Sequence, residues 1–250
     1  GEPFFGGTYF PATERPGLPA FTRVLEAVHE TWEAHPDRVV ANAAALADRL
    51  ADPRPAPAAA PGPEVVAAAY TAVTAAYDPV HGGFGQAPKF PQASTLEFLL
   101  RAAEAPWAPG ARSMLHHTLA AMADGGIHDQ VGGGFARYSV DARWGVPHFE
   151  KMLDDNALLG RLYARAWQVT GDARLAAVAR RTLDYLMECL LLPGGGFASA
   201  EDADSEGEEG RFYTFTYDEF LDAAGDAAPP AADLGRQPPG AFLVGEIGHQ

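Results

Sequence analysis

Two stretches hold most of the side chains able to move protons. Residues 124–150, DGGIHDQVGGGFARYSVDARWGVPHFE, bring His128, Asp129, Arg137, Tyr138, Asp141, Arg143, Trp144, His148 and Glu150 together. Guanidinium and carboxylate groups bind hydroxyls, aromatic faces stack on apolar ring faces, and histidine titrates near neutral pH. The mixture suits a pocket for a sugar or another polyol. A structureless stretch of this length inside a folded domain is usually functional. The competing reading is a loop held by its own ion pairs. His148 stands out because it precedes an expected helix start, where a side chain can face a ligand as general acid or base.

The second stretch, residues 197–211, reads FASAEDADSEGEEGR and places six acids between Glu201 and Glu209. Asp202-x-Asp204-x-Glu206-Gly207 imitates the start of an EF-hand calcium loop. The twelfth position is Tyr213 rather than an acid, which argues against calcium. A carboxylate pair dividing acid and base roles and a solvated acidic turn both remain open. Other templates fail. Met152 stands where HExxH needs its second histidine, and His116 and His117 are adjacent rather than four apart. There is no Walker loop, no GxGxxG between strand and helix, and no GxSxG elbow. Cys189 is the single cysteine and can form neither an internal disulfide nor a CxxC pair. Neither a metal nor another cofactor is expected.

The elements that position these loops are mostly helical. Apolar spacing predicts helices over 20–34, 37–50, 63–77, 92–105, 111–124, 149–169, 172–191 and 217–224. In 172–191 the stripe is Leu175, Val178, Ala179, Leu183, Leu186, Met187 and Leu190. His35-Pro36 interrupts the first pair, because the residue before proline leaves the α region. On the helix expected from 149, Glu150 and Asp154 would share a face, and Lys151 and Asp155 would form an i,i+4 pair. Thr170-Gly171-Asp172 is a tight joint, so its two helices should pack antiparallel. Gly-Gly-Phe recurs at Gly82-Gly83-Phe84, Gly133-Gly134-Phe135 and Gly195-Gly196-Phe197, each time after one helix and before the next. Two helices per interval indicate stacked helical hairpins, with the three loops on one rim. The plainer alternative is three similar turns.

The expected organisation is residues 1–50 as one piece, a Pro/Ala linker over 51–63, a helical region over 64–225 and an irregular tail over 226–250. Five prolines in residues 51–63 leave that stretch nothing to build a core from. In 250 residues the net charge is −15, from 33 acidic against 18 basic side chains. That balance argues against nucleic acid and against anionic membranes. No apolar run is long enough to span a membrane and no secretory leader is visible, so a cytoplasmic protein is expected.

Long motifs then identify a resemblance. Glu2-Pro3-Phe4-Phe5-Gly6-Gly7-Thr8-Tyr9-Phe10-Pro11, Gly82-Gly83-Phe84-Gly85-Gln86-Ala87-Pro88-Lys89-Phe90-Pro91, the stretch 126–159 and the run 195–216 resemble the spermatogenesis-associated protein 20-like family. The resemblance implies a thioredoxin-like domain followed by an α/α toroid of the six-hairpin glycosidase and N-acylglucosamine 2-epimerase type. On that expectation the chain is mainly α. It starts at the C-terminal end of the thioredoxin-like domain, beyond the family's Trp-Cys-His segment, and continues as a partial toroid. It would then be a fragment, and its open half-toroid a candidate for self-association.

By the same analogy a carbohydrate-like ligand is bound by Asp129, Arg137, Tyr138 and Trp144. Acid/base work falls to His148, Glu150, Asp202, Asp204 and His128. His148 leads as acid/base, Arg137 meets a hydroxyl or oxyanion, and Trp144 offers the stacking face. The implied chemistry of the intact protein is epimerisation or glycosidic cleavage. The rivals are a non-enzymatic helical interaction scaffold and a redox accessory protein.

Overall fold

Proline and glycine punctuate the helices where the sequence places them. In the computed structural model, residues 2–15, 17–51, 62–225 and 242–243 are described. The chain divides into two units, residues 1–61 and 62–250. In the first, α1 (Phe21–Ala34) ends as His35 leaves helical geometry at φ −147°, and α2 (Pro36–Ala51) starts on the proline. A proline there loses nothing, since the first-turn N–H groups of a helix have no internal partner. Ala20 and Ala43 are buried, whereas Phe21, Leu25, Trp32, Val40 and Leu50 are exposed. The expected linker falls mostly on residues 52–61, outside the described residues.

The second unit is built of α3 (Pro63–Ala76), α4 (Ala93–Ala102), α5 (Ala111–Asp124), α6 (Leu153–Thr170), α7 (Ala173–Tyr185) and α8 (Tyr217–Ala224). Gly171 closes α6 in the left-handed conformation (φ 75°), and Asp172 caps α7 by accepting from the Arg174 amide. This two-residue joint lets α6 and α7 pack along their length. Leu96, Leu99, Leu119, Met122, Ile127, Phe135, Leu159 and Tyr163 are fully buried between α4, α5, α6 and the loop after α5. Tyr163 Oη, inside that core, donates to the Leu119 carbonyl at 2.7 Å.

Two expectations are corrected. The helix expected from residue 149 begins at Leu153, because residues 147–148 and 151–152 are taken by β pairing. Here β1 (Tyr138–Ser139) pairs with β2 (Pro147–His148), and β3 (Lys151–Met152) pairs with β4 (Ala200–Glu201). Glu150 and Asp154 therefore share no helix face, and Lys151 bonds to Asp129 rather than Asp155. Of the stripe expected over 172–191, Leu183 in α7 and Met187 just beyond it are exposed, while Thr182 and Tyr185 complete the buried face. Thr182 is tolerated there because its hydroxyl donates to the Val178 carbonyl at 2.9 Å. A π-helical turn, Leu186–Leu190, follows and places Leu186 and Leu190 inside with Tyr185.

The acidic stretch forms a hairpin of β5 (Asp204–Ser205) and β6 (Glu208–Glu209). Farther on, β7 (Thr214–Phe215) pairs in parallel with β8 (Phe242–Leu243). The rest of the expected tail, apart from β8, lies outside the described residues beyond 225.

The glycine loops follow α3, α5 and the π turn. Each phenylalanine bridges back to the chain entering its loop: Phe84 to Tyr77, Phe135 to His128, Phe197 to Leu191. The loops also lie side by side. Lys89 exchanges backbone hydrogen bonds with Ser139, at 2.8 Å each way, and Lys151 pairs with Glu201. Ser139 and Glu201 each stand four residues after the next loop's phenylalanine.

Candidate functional site

The antiparallel β1–β2 pair sets Tyr138 opposite His148, and their rings stack at 4.8 Å. Phe90, 42% exposed, lies 4.9 Å from the Tyr138 ring. The acidic hairpin brings Glu209 Oε1 to 2.6 Å from His148 Nδ1. A carboxylate only accepts, so Nδ1 donates to it, while Nε2 lies 3.7 Å from Glu150 Oε2. Arg137 donates to the same Glu150 oxygen at 2.9 Å. At the start of α6, burial and the Asp154 charge push the Asp155 carboxyl up to about 6, opposed by Arg137 and assisted by Glu150. One rim thus gathers a guanidinium, an oriented imidazole, carboxylates and an accessible aromatic pair. Carboxyls displaced toward neutrality are frequent at catalytic sites.

The expected residues separate in this structure. Arg137, Tyr138, His148 and Glu150 meet. Asp202 instead accepts from the Asp204 amide at 3.1 Å, closing its own turn, and both acids are exposed. Glu209 of the same acidic run is the one that reaches His148. Trp144 offers no stacking face, because it is fully buried and its Nε1 donates to the His81 carbonyl at 3.0 Å. His128 is buried and stacked on Phe135 at 4.7 Å. Burial lowers its pKa to about 4, so it is neutral at pH 7 and does not reach the rim as an acid. Among the described residues no group of three or more His, Cys, Asp or Glu side chains is arranged to hold a metal ion.

Sequence reasoning missed Glu209, 61 residues from His148, and Asp155, whose signal was the doubled acid at a helix start. It also missed a buried device in two glycine loops. In the first, Lys89 Nζ donates to Asp78 Oδ2 at 2.5 Å and to the Gly82 carbonyl at 3.0 Å. In the second, Lys151 Nζ donates to Asp129 Oδ2 at 2.8 Å and to the Gly133 carbonyl at 3.0 Å. Each aspartate also caps its own loop, Asp78 through the Val80 and His81 amides and Asp129 through those of Val131 and Gly132. These partners outweigh burial and hold both carboxyls below the usual carboxylate range. Asp129 is therefore tied to Lys151 and stands apart from the polar rim.

The chain has clear relatives. Residues 1–51 match the family Thioredox_DsbH, described as a protein of unknown function (DUF255). Over 87% of its length the chain is similar to spermatogenesis-associated protein 20, with 39% identity to the Homo sapiens protein and 38% to that of Mus musculus. An uncharacterized protein of Caenorhabditis elegans is 35% identical over 93% of the chain and 34% of its own length. The chain spans about 30% of the length of the two mammalian proteins. The resemblance read from the motifs is thus a sequence relationship covering most of this chain.

Among solved structures, a sugar epimerase from a ruminal bacterium aligns with a TM-score of 0.48 and 15% identity, over 56% of this chain and 41% of that one. Cellobiose 2-epimerase from Spirochaeta thermophila aligns with a TM-score of 0.47 and 20% identity, over 56% and 40%. No helix among the described residues is long and apolar enough to cross a membrane.

Proposed function

We propose that the rim cluster carries out proton transfer on a carbohydrate in the intact protein, in the manner of a sugar epimerase. The observation that supports it is the 2.6 Å contact between His148 Nδ1 and Glu209, which leaves Nε2 free to take a proton. In this reading Nε2 removes the proton from the carbon beside a carbonyl, and Arg137 stabilises the enolate oxygen. The Asp155 carboxyl, protonated below about pH 6, supplies the returning proton. Phe90 and Tyr138 provide the stacking face in place of Trp144. Glycosidic cleavage is less well served, since it requires two carboxyls flanking one bond and Asp202 and Asp204 stay within their own hairpin.

The test is NMR detection of solvent deuterium entering the carbon next to the carbonyl, over a panel of reducing hexoses and N-acylhexosamines. The expected result is exchange that falls about 100-fold or more in His148→Ala and less in Glu209→Gln. No exchange with any sugar, or exchange unaffected by His148→Ala, rejects the reading.

A further inference from the structure

Strand geometry turns successive side chains to opposite faces. Along 147–151, His148 and Glu150 belong to the polar rim, whereas Pro147, Phe149 and Lys151 line a separate cavity of about 350 Å³. Phe149, Phe212, Tyr213 and Phe215 supply aromatic walls, with Tyr213 and Phe149 stacked 5.5 Å apart. Gly126, Gly132 and Ala136 keep the floor open by having little or no side chain. The volume falls within the range of about 300–1,000 Å³ typical of small-molecule sites.

The charges in the wall decide what can enter. Lys151 and Asp129 are bonded at 2.8 Å, and the ammonium also lies over the Tyr185 and Tyr213 rings, at 4.5 and 4.8 Å. The pair cancels, so a charged guest would lose its water and find no free counter-charge. At the mouth Val131 and Phe212 remain 86% and 69% exposed.

We infer that this cavity is a binding site for an uncharged, aromatic small molecule, distinct from the polar rim on the other face of the segment 147–151. The site goes beyond the proton-transfer reading and does not depend on it.

The test compares two probes with one skeleton, the uncharged N-phenyl-1-naphthylamine and its sulfonated counterpart 1-anilinonaphthalene-8-sulfonate, by fluorescence titration. The neutral probe is expected to saturate one site and to bind at least about tenfold more tightly than the anion. Ala136→Phe, which fills the cavity, should weaken it at least about tenfold while far-UV circular dichroism is unchanged. If that variant does not fold, Phe212→Ser at the exposed mouth should weaken binding several-fold. Equal affinity for the two probes overturns the proposal, as does absent saturable binding. So does binding unchanged in folded Ala136→Phe or, where that variant does not fold, in Phe212→Ser. Concentration-dependent self-association in sedimentation that Phe212→Ser abolishes also overturns it, assigning the face to a second copy. His148→Ala should leave probe binding intact, which separates this failure from failure of the sugar reading.

Discussion

Lys89 and Lys151 each bond to an aspartate and to a glycine carbonyl, and each lies over an aromatic ring, yet their surroundings differ. Lys89 is completely buried beside Trp144, 5.4 Å from its ring, whereas Lys151 forms part of the wall of the cavity. A Cβ on Gly83 would collide with Trp144, and one on Gly134 with Tyr185, so both loops are backed by a ring from elsewhere in the chain. The loop after the π turn lacks the device. Leu192 takes the aspartate's backbone position by bonding to Gly196, and nothing lies within 4 Å of a Cβ on Gly196. One local pattern thus serves as a sealed anchor, as a cavity wall or as a bare turn. The difference is set by what packs against it.

The largest test of this contrast is Lys89→Met. It removes a fully buried ammonium and leaves the partly buried Asp78 carboxylate only its Val80 and His81 partners, with an expected cost of about 3 kcal/mol in urea unfolding. A cost below about 1 kcal/mol would mean that the first loop is no more sealed than the second.

The residues entering the loops also differ, Tyr77 in the first and His128 in the second. His128 titrates at about 4 when folded, below its ordinary 6.5. The unfolded chain therefore binds the extra proton first, and this contribution is complete above pH 6.5 and lost as pH falls toward 4. The loss is roughly 3 kcal/mol at 1.36 kcal/mol per pH unit. Asp155, raised to about 6, works in the opposite direction, adding stability as pH falls through 6. The prediction is consequently a difference: relative to the parent protein, His128→Phe should gain stability progressively from pH 6.5 to 4. A constant offset across that range would reject it.

Lys151→Met should cost less than Lys89→Met, about 1–3 kcal/mol, because water entering the cavity can solvate Asp129. Equal costs would show that the cavity gives that carboxylate no relief. The smallest effect is expected in the bare loop. Gly196→Ala carries only the left-handed penalty at φ 77°, about 1–2 kcal/mol, whereas Gly83→Ala adds a collision with Trp144 and should cost clearly more in the same melts.

The helices and glycine loops were legible in sequence because both signals are local: 3.6-residue spacing and a repeated tripeptide. The lysine–aspartate pairs were not. Lys89 follows Phe84 closely, whereas Lys151 follows Phe135 only after the β1–β2 excursion, so no fixed spacing betrays them. Trp144 was read as a ligand platform because an aromatic in a polar loop looks available. Its left-handed backbone (φ 67°) instead turns it into the core against the first loop. Arg137, Tyr138, His148 and Glu150 were found because they lie within 14 residues of one another. Glu209 came from a separate hairpin, and composition could not choose among the six acids between Glu201 and Glu209.

The backbone pairing between neighbouring loops also bears on how the molecule is made. Lys89 waits fifty residues for Ser139, and Lys151 waits fifty for Glu201. A ribosome delivers the chain from the N-terminus. Each rim segment therefore emerges before the strand that clasps it, and stays unclasped until the following hairpin has been synthesised. Assembly of the rim is vectorial, and a ribosome stalled between two loops would hold out a free β edge at the last completed lysine.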